Sequence, residues 1–103
     1  MSSIQKNRNE GSYIFMEILK SASAGTMESS DAYVEIEPAE TLEVNLESVV
    51  QLQFGEEICK VVRQVLQEHE VEKANVRVID RGALECVIRA RVETAILRGK
   101  GDA

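Results

Sequence analysis

The stretch VIDRGALECVIRARVE, Val78 to Glu93, admits two readings, and the fold turns on which one is taken. Read as a strand entered through a turn at Asp80-Arg81-Gly82, it lines up Leu84, Cys86, Ile88, Ala90 and Val92 in an unbroken apolar row, with Glu85, Arg89, Arg91 and Glu93 on the opposite face. Read as a helix, its stripe of Leu84, Ile88, Val92 and Ala95 takes in Arg91 and leaves Cys86 outside. The count of matching positions favours the strand. Gly82 then supplies the positive φ that a short hairpin turn commonly needs. From about Glu93, ETAILRG is expected to turn into a short terminal helix.

Upstream, a strand through Asn75–Ile79 would be the hairpin's other arm, preceded by a long apolar stripe at helical spacing: Val50, Phe54, Ile58, Val61, Val62, Val65 and Leu66. Ser48 with Gln51 three residues on is a capping-box pattern, so a helix is expected from about Val49 to His69. Gly55 within it costs roughly 1 kcal/mol relative to Ala, which so long a stripe tolerates. Before the helix, YVEIE turns Val34 and Ile36 one way and Tyr33, Glu35 and Glu37 the other. LEVNLE does the same with Leu42, Val44 and Leu46 against Glu43, Asn45 and Glu47. Pro38-Ala39-Glu40 joins the two, and the pair reads as an antiparallel hairpin. Residues 23–28 add a further edge strand that turns back at Ser29-Ser30-Asp31. The expected fold is α+β: a two-layer sandwich with a mainly antiparallel sheet of four to five strands, covered by one long helix, and a short C-terminal helix.

Length and charge narrow the function. With 103 residues, 44% of them hydrophobic and 4% aromatic, the chain builds about one small domain whose core rests on Val, Ile, Leu and Ala. Its net charge of −6 lies wholly in residues 1–50, where three basic side chains face nine acidic ones; residues 51–103 carry nine of each. An acidic surface is repelled by nucleic-acid phosphates and anionic lipid, and suits a basic protein partner. No apolar run reaches membrane-spanning length. The polar, aperiodic residues 1–15 read as a flexible N-terminal extension ahead of Met16 and lack a signal-peptide core, so a cytoplasmic, reduced protein is expected.

Catalytic constellations are not legible. His69 is the only histidine, in QEHEVEK at the helix end, and reads as a solvated or capping residue. Cys59 and Cys86 match neither a disulfide framework nor a metal spacing, and read as buried small hydrophobes. The six glycines are scattered and form no phosphate-cradling loop. Arg77, Arg81, Arg89 and Arg91 could form a docking surface opposite in sign to the acidic half, but on strands they are expected in cross-strand ion pairs with Glu85 and Glu93. What remains is the turn AGTMESSD, Ala24 to Asp31, with two adjacent serines between Glu28 and Asp31. A serine hydroxyl without an activating base is a poor nucleophile, so its natural role is to be modified by another enzyme.

Three ordered segments, AGTMESSDAYVEIEP, NLESVVQLQFGEEI and VIDRGALECVIRARVE, resemble the acyl carrier protein (gamma) subunit of citrate lyase, over Met16 to Leu97. The resemblance implies an acyl carrier domain over residues 16–103, itself non-catalytic. It implies a cofactor, 2'-(5''-triphosphoribosyl)-3'-dephospho-CoA, covalently attached through a phosphodiester as a phosphoribosyl dephospho-coenzyme A group. Matched to the motif, the attachment residue is Ser29, with Ser30 standing where the family often has Gly. Glu28 and Asp31 become recognition groups for the prosthetic-group transferase. The partners implied are the citrate lyase alpha and beta subunits, which cleave citrate to acetate and oxaloacetate with the acyl group held as a thioester. The carrier subunit of malonate decarboxylase is the neighbouring alternative. A non-carrier interaction subunit with inert serines is the alternative from a different class.

Overall fold

The computed structural model describes residues 17–49 and 51–101. The expected extension over residues 1–15, the start at Met16 and the Val50 and Gln51 side-chain parts of the helix entry lie outside the described residues.

The elements run β1 (Ala22–Gly25), β2 (Ala32–Pro38), β3 (Leu42–Ser48), α1 (Gln51–Glu68), β4 (Ala74–Asp80) and α2 (Glu85–Gly99). They form a four-stranded sheet in the order β1-β2-β4-β3. β1–β2 and β2–β4 are antiparallel, and β3–β4 is parallel. The mainly antiparallel sheet matches the sequence expectation and an edge strand forms, though over Ala22–Gly25 and not 23–28; the β2–β3 hairpin does not form, because β4 lies between these strands.

The alternation in each strand sets its inward face. Ala32, Val34 and Ile36 of β2 and Ala74, Val76 and Val78 of β4 are buried, while Glu43, Asn45 and Glu47 of β3 face solvent. Register then aligns rows across the sheet: Ala24 with Val34, Val34 with Val78, and Val78 with Leu46. Each such fully buried Val or Ile contributes about 1.5–3 kcal/mol. β4 lies inside the sheet with Ala74, Val76, Val78 and Asp80 buried on one face; on the other Ile79 is buried and Arg77 exposed. Skipping over it is sterically easy: two sheet positions span about 10 Å, and the four residue steps from Pro38 to Leu42 reach about 13 Å extended. Parallel pairing of β3 and β4 requires a crossover, and α1 provides it.

The stretch from Leu84 is a helix and not a strand. α2 runs for 15 residues beside the 18 of α1, so the sheet is covered by two long helices rather than by one long and one short. α2 buries Ile88, Val92, Ala95 and Ile96, a helical stripe, and leaves Cys86 and Ala90 exposed. Arg91, which counted against a helix, sits at the edge of that stripe and is paired with Asp31. Gly82 takes a φ of 93°, but in a strand-to-helix turn instead of a hairpin. On α1, Ile58, Val62, Val65 and Leu66 are buried as expected, whereas Phe54 is 48% exposed.

Ion pairs follow the corrected topology. Arg77 pairs across strands with Glu35 at 2.8 Å, Arg89 reaches Glu68 at 3.0 Å, and Glu93 faces His69 at 3.3 Å. Glu85 and Glu93 therefore do not serve as strand partners for the arginines. The backbone N–H groups of Leu19 and Lys20 both donate to the Gly99 carbonyl, at 2.9 and 3.2 Å, fastening the segment before β1 to the end of α2.

Candidate functional site

Residues 26–31 reverse the chain between β1 and β2. The reversal starts at Gly25, whose φ is 97° and where a Cβ would run into the Ala32 carbonyl oxygen; no other residue fits there without moving β2. The Thr26 hydroxyl donates to Asp31 Oδ2 at 2.7 Å and accepts from the Glu28 N–H at 3.2 Å. The Asp31 N–H donates to the Glu28 carbonyl at 3.1 Å. Asp31 Oδ1 accepts from the Ala32 N–H at 2.7 Å.

Two other parts of the chain brace this turn. From α2, Arg91 makes a bidentate pair with Asp31, Nε to Oδ1 at 3.0 Å and Nη2 to Oδ2 at 2.9 Å. From the β4–α2 connection, the Arg81 carbonyl accepts from the Ser30 N–H at 2.8 Å, and the Arg81 N–H donates to the Asp31 carbonyl at 2.9 Å. The Asp31 carboxyl is held well below the usual carboxylate range, chiefly by the Arg91 guanidinium and then by the Thr26 hydroxyl and Ala32 N–H, all of which favour the anion.

The bracing connection is itself fixed by Asp80, which is 1% exposed. Its Oδ1 accepts from the N–H groups of Gly82 and Ala83 at 3.2 and 2.9 Å, and its Oδ2 accepts from the Ser48 hydroxyl at 2.8 Å. Its carbonyl accepts from Val49 at 3.2 Å, so the ends of β3 and β4 and the start of α2 are knotted together beneath the serine turn.

At the tip, Glu28, Ser29 and Ser30 are exposed. The Ser29 hydroxyl makes no hydrogen bond to any described residue. Ser30 adopts a φ of 66°, the left-handed region, a position that suits glycine. Asp31, by contrast, is only 16% exposed at its side chain and its carboxylate is committed to the brace.

The other sequence candidates are elsewhere. His69, beside Glu93, lies at the opposite end of α1, and Cys59 is half-buried and Cys86 exposed, not buried as expected. No group of three or more His, Cys, Asp or Glu among the described residues is arranged to hold a metal. Thr26, Asp80, Arg81 and Arg91 were not foreseen as parts of the site. For Asp80 a signal existed: an acid on the inward row of Ala74, Val76 and Val78 must find buried donors. For Arg91 the signal was the very misfit that argued against a helix.

The fold and this turn define a small α+β domain that presents an exposed serine hydroxyl on a turn held by α2 and by the β4–α2 connection. Comparison with known proteins gives that class a family. The family described as malonate decarboxylase delta subunit (MdcD) matches residues 19–99. The citrate lyase acyl carrier protein of Haemophilus ducreyi is 46% identical over 88 residues, covering 85% of this chain and 93% of that protein. Its counterpart from Serratia proteamaculans is 53% identical over 85 residues, covering 81% and 83%. A crystal structure of a Pseudomonas malonate decarboxylase hetero-tetramer with malonate contains a chain of the same fold, with a TM-score of 0.70 at 19% identity over 79% of this chain and 84% of that one. The chain belongs to the citrate lyase acyl carrier protein family.

Proposed function

We propose that this chain is the non-catalytic acyl carrier subunit of citrate lyase, loaded at Ser29. The observation that carries this reading is the bare, exposed hydroxyl of Ser29 on a braced turn, in a chain 46–53% identical to citrate lyase acyl carrier proteins.

The residues present fit a covalently attached phosphoribosyl dephospho-coenzyme A group. Nothing described covers Ser29, and the turn needs no rearrangement to present its hydroxyl. When attached, that group supplies a thiol that holds the acyl chain as a thioester. The chain's own residues do the rest. Gly25, Thr26 and Asp31 set the turn, Arg91 and Arg81 fix it to the body of the domain, and Ser29 projects outward. Ser29 has no base of its own among the described residues, so the proton leaves it only in the site of a loading transferase. Glu28, exposed beside Ser29, is a recognition group for that enzyme. Asp31 serves recognition through the turn shape it imposes. The alpha and beta subunits of the lyase are the partners between which the loaded domain moves, raising the local acyl concentration at each. The compartment is the cytoplasm, in keeping with two unpaired cysteines.

Malonate decarboxylase remains a second reading because the matching family and the solved structure carry that name, but identity near 50% favours the lyase. The test is intact mass and peptide mapping after co-expression with the prosthetic-group synthesis and transfer enzymes of citrate lyase. The expected result is the added group on the peptide containing Ser29, absent in Ser29→Ala. An unmodified chain beside a labelled authentic carrier refutes the proposal.

A further inference from the structure

Five large hydrophobic side chains stand exposed among the described residues, and their placement is not even. Met27, Val49, Phe54 and Leu84 are 45, 64, 48 and 71% exposed. All four lie at one pole of the domain. Met27 is in the serine turn itself. Val49 hangs from the Asp80 carbonyl, and the 81–84 connection, with Leu84 at its end, carries the Ser30–Arg81 bond. Phe54, in the first turns of α1, lines a hollow of about 230 Å³ together with Ile58, Val61, Ala83 and Ile88. Only Leu19, at the opposite pole, breaks the pattern.

Charge at this pole is one-sided. Glu28, Glu47, Glu57 and Glu85 are exposed at this pole, Glu57 and Glu85 lining the hollow with Phe54; among the described residues there, Arg81 is exposed and Arg91 is paired with Asp31. Surface hydrophobes scattered singly are ordinary, but four gathered at one pole among acidic side chains mark an interaction site.

We infer that this apolar, acidic pole is the docking surface for the enzyme that loads Ser29, and that it fits a partner face with an apolar centre and a Lys/Arg rim. Among enzymes of this reading, the loading enzyme alone must reach the hydroxyl itself. Subunits that act on the acyl group meet it at the far end of the arm and have no need to touch the turn. An interface of ordinary size covers about 800 Å² on each partner. A catalyst in bonding contact with Ser29 therefore lies over Met27 and Leu84, and the hollow beside Phe54 accepts one of its apolar side chains as an anchor. The acidic side chains speed and orient the encounter more than they add affinity.

The inference rests on loading at Ser29, and the experiment separates the two. Purified chain and purified transferase are mixed without the prosthetic-group donor and followed by amide chemical shifts. Loading kinetics are then read by intact mass. Val49→Ser, Phe54→Ser and Leu84→Ser are compared with Leu19→Ser at the other pole and with the double variant Glu57→Lys/Glu85→Lys. Circular dichroism and thermal melts check that each variant is folded. The expected result is shift changes confined to residues near 27–30, 47–49, 54–58 and 81–88. The three apolar variants raise KM about tenfold with kcat retained, as for removal of one interface hot spot. The double charge variant loses the salt dependence of kcat/KM, and Leu19→Ser behaves as wild type. Unchanged KM in all three pole variants, or shifts centred elsewhere, overturns the docking surface even while Ser29 is loaded. Binding at this pole with no mass added at Ser29 leaves the surface standing and removes the loading assignment instead.

Discussion

Replacing Ser30 with glycine distinguishes the two serines and tests the turn's backbone at once. Ser30 sits at a φ of 66°, a left-handed conformation that costs a side-chain-bearing residue roughly 1–2 kcal/mol. Glycine removes that cost but adds freedom to the unfolded chain worth about 0.4–1 kcal/mol. The difference leaves Ser30→Gly more stable by about 0.5 kcal/mol, a rise in melting temperature of about 2–4 °C for a domain of this size. The N–H that donates to the Arg81 carbonyl survives the change, so the brace is retained. Thermal and urea denaturation measure the stability, and intact mass after co-expression with the loading enzymes measures the modification. Full loading with equal or raised stability is expected. Loss of loading would place the attachment at Ser30 and refute the assignment to Ser29. A fall of more than about 1 kcal/mol would mean that the Ser30 side chain holds the turn, contrary to the geometry.

Gly25→Ala drives a Cβ into the Ala32 carbonyl oxygen and should destabilise by at least ~2 kcal/mol in urea melts, with loading lost in proportion to folding. Asp31 titrates well below the usual carboxylate range because Arg91, Thr26 and Ala32 all favour its anion. With the folded pKa depressed, its stabilisation is present above the unfolded value of about 3.9 and is lost as pH falls through the folded pKa. An NMR titration of the Asp31 carboxyl carbon should therefore show little change down to pH 3 in the wild type and a midpoint moved upward in Arg91→Met; equal midpoints would remove Arg91 from the brace. Leu66→Ala empties a fully buried site and should cost about 2–5 kcal/mol by urea denaturation while leaving the turn amide shifts unchanged in the folded protein.

The strands β2 and β3 and the helix α1 were legible because each follows a single period; the edge strand β1 has no such period and stands at Ala22–Gly25 rather than 23–28. The end of the chain was not legible. Leu84 to Val92 satisfies both a two-residue and a helical repeat, and the deciding residue, Arg91, counted as a misplaced charge only because its partner is 60 positions away. Sheet order was hidden for a similar reason: the link through Ala39 and Glu40 looks like a hairpin loop and says nothing of the strand that slips between its arms. The serine motif was readable as a motif. Its rigidity was not, since Arg81, Arg91 and Asp80 reach the turn only after the chain has folded.

The bonds from Leu19 and Lys20 to the Gly99 carbonyl give the domain a handle. The described chain enters and leaves side by side, at the pole away from Ser29. An affinity tag, a fluorophore, a surface tether or a fused protein joined directly to this junction, beside Leu19 or Gly99, therefore starts behind the serine and not across it. The domain can be immobilised there and presented to soluble enzymes one at a time, with the acceptor turn still facing outward.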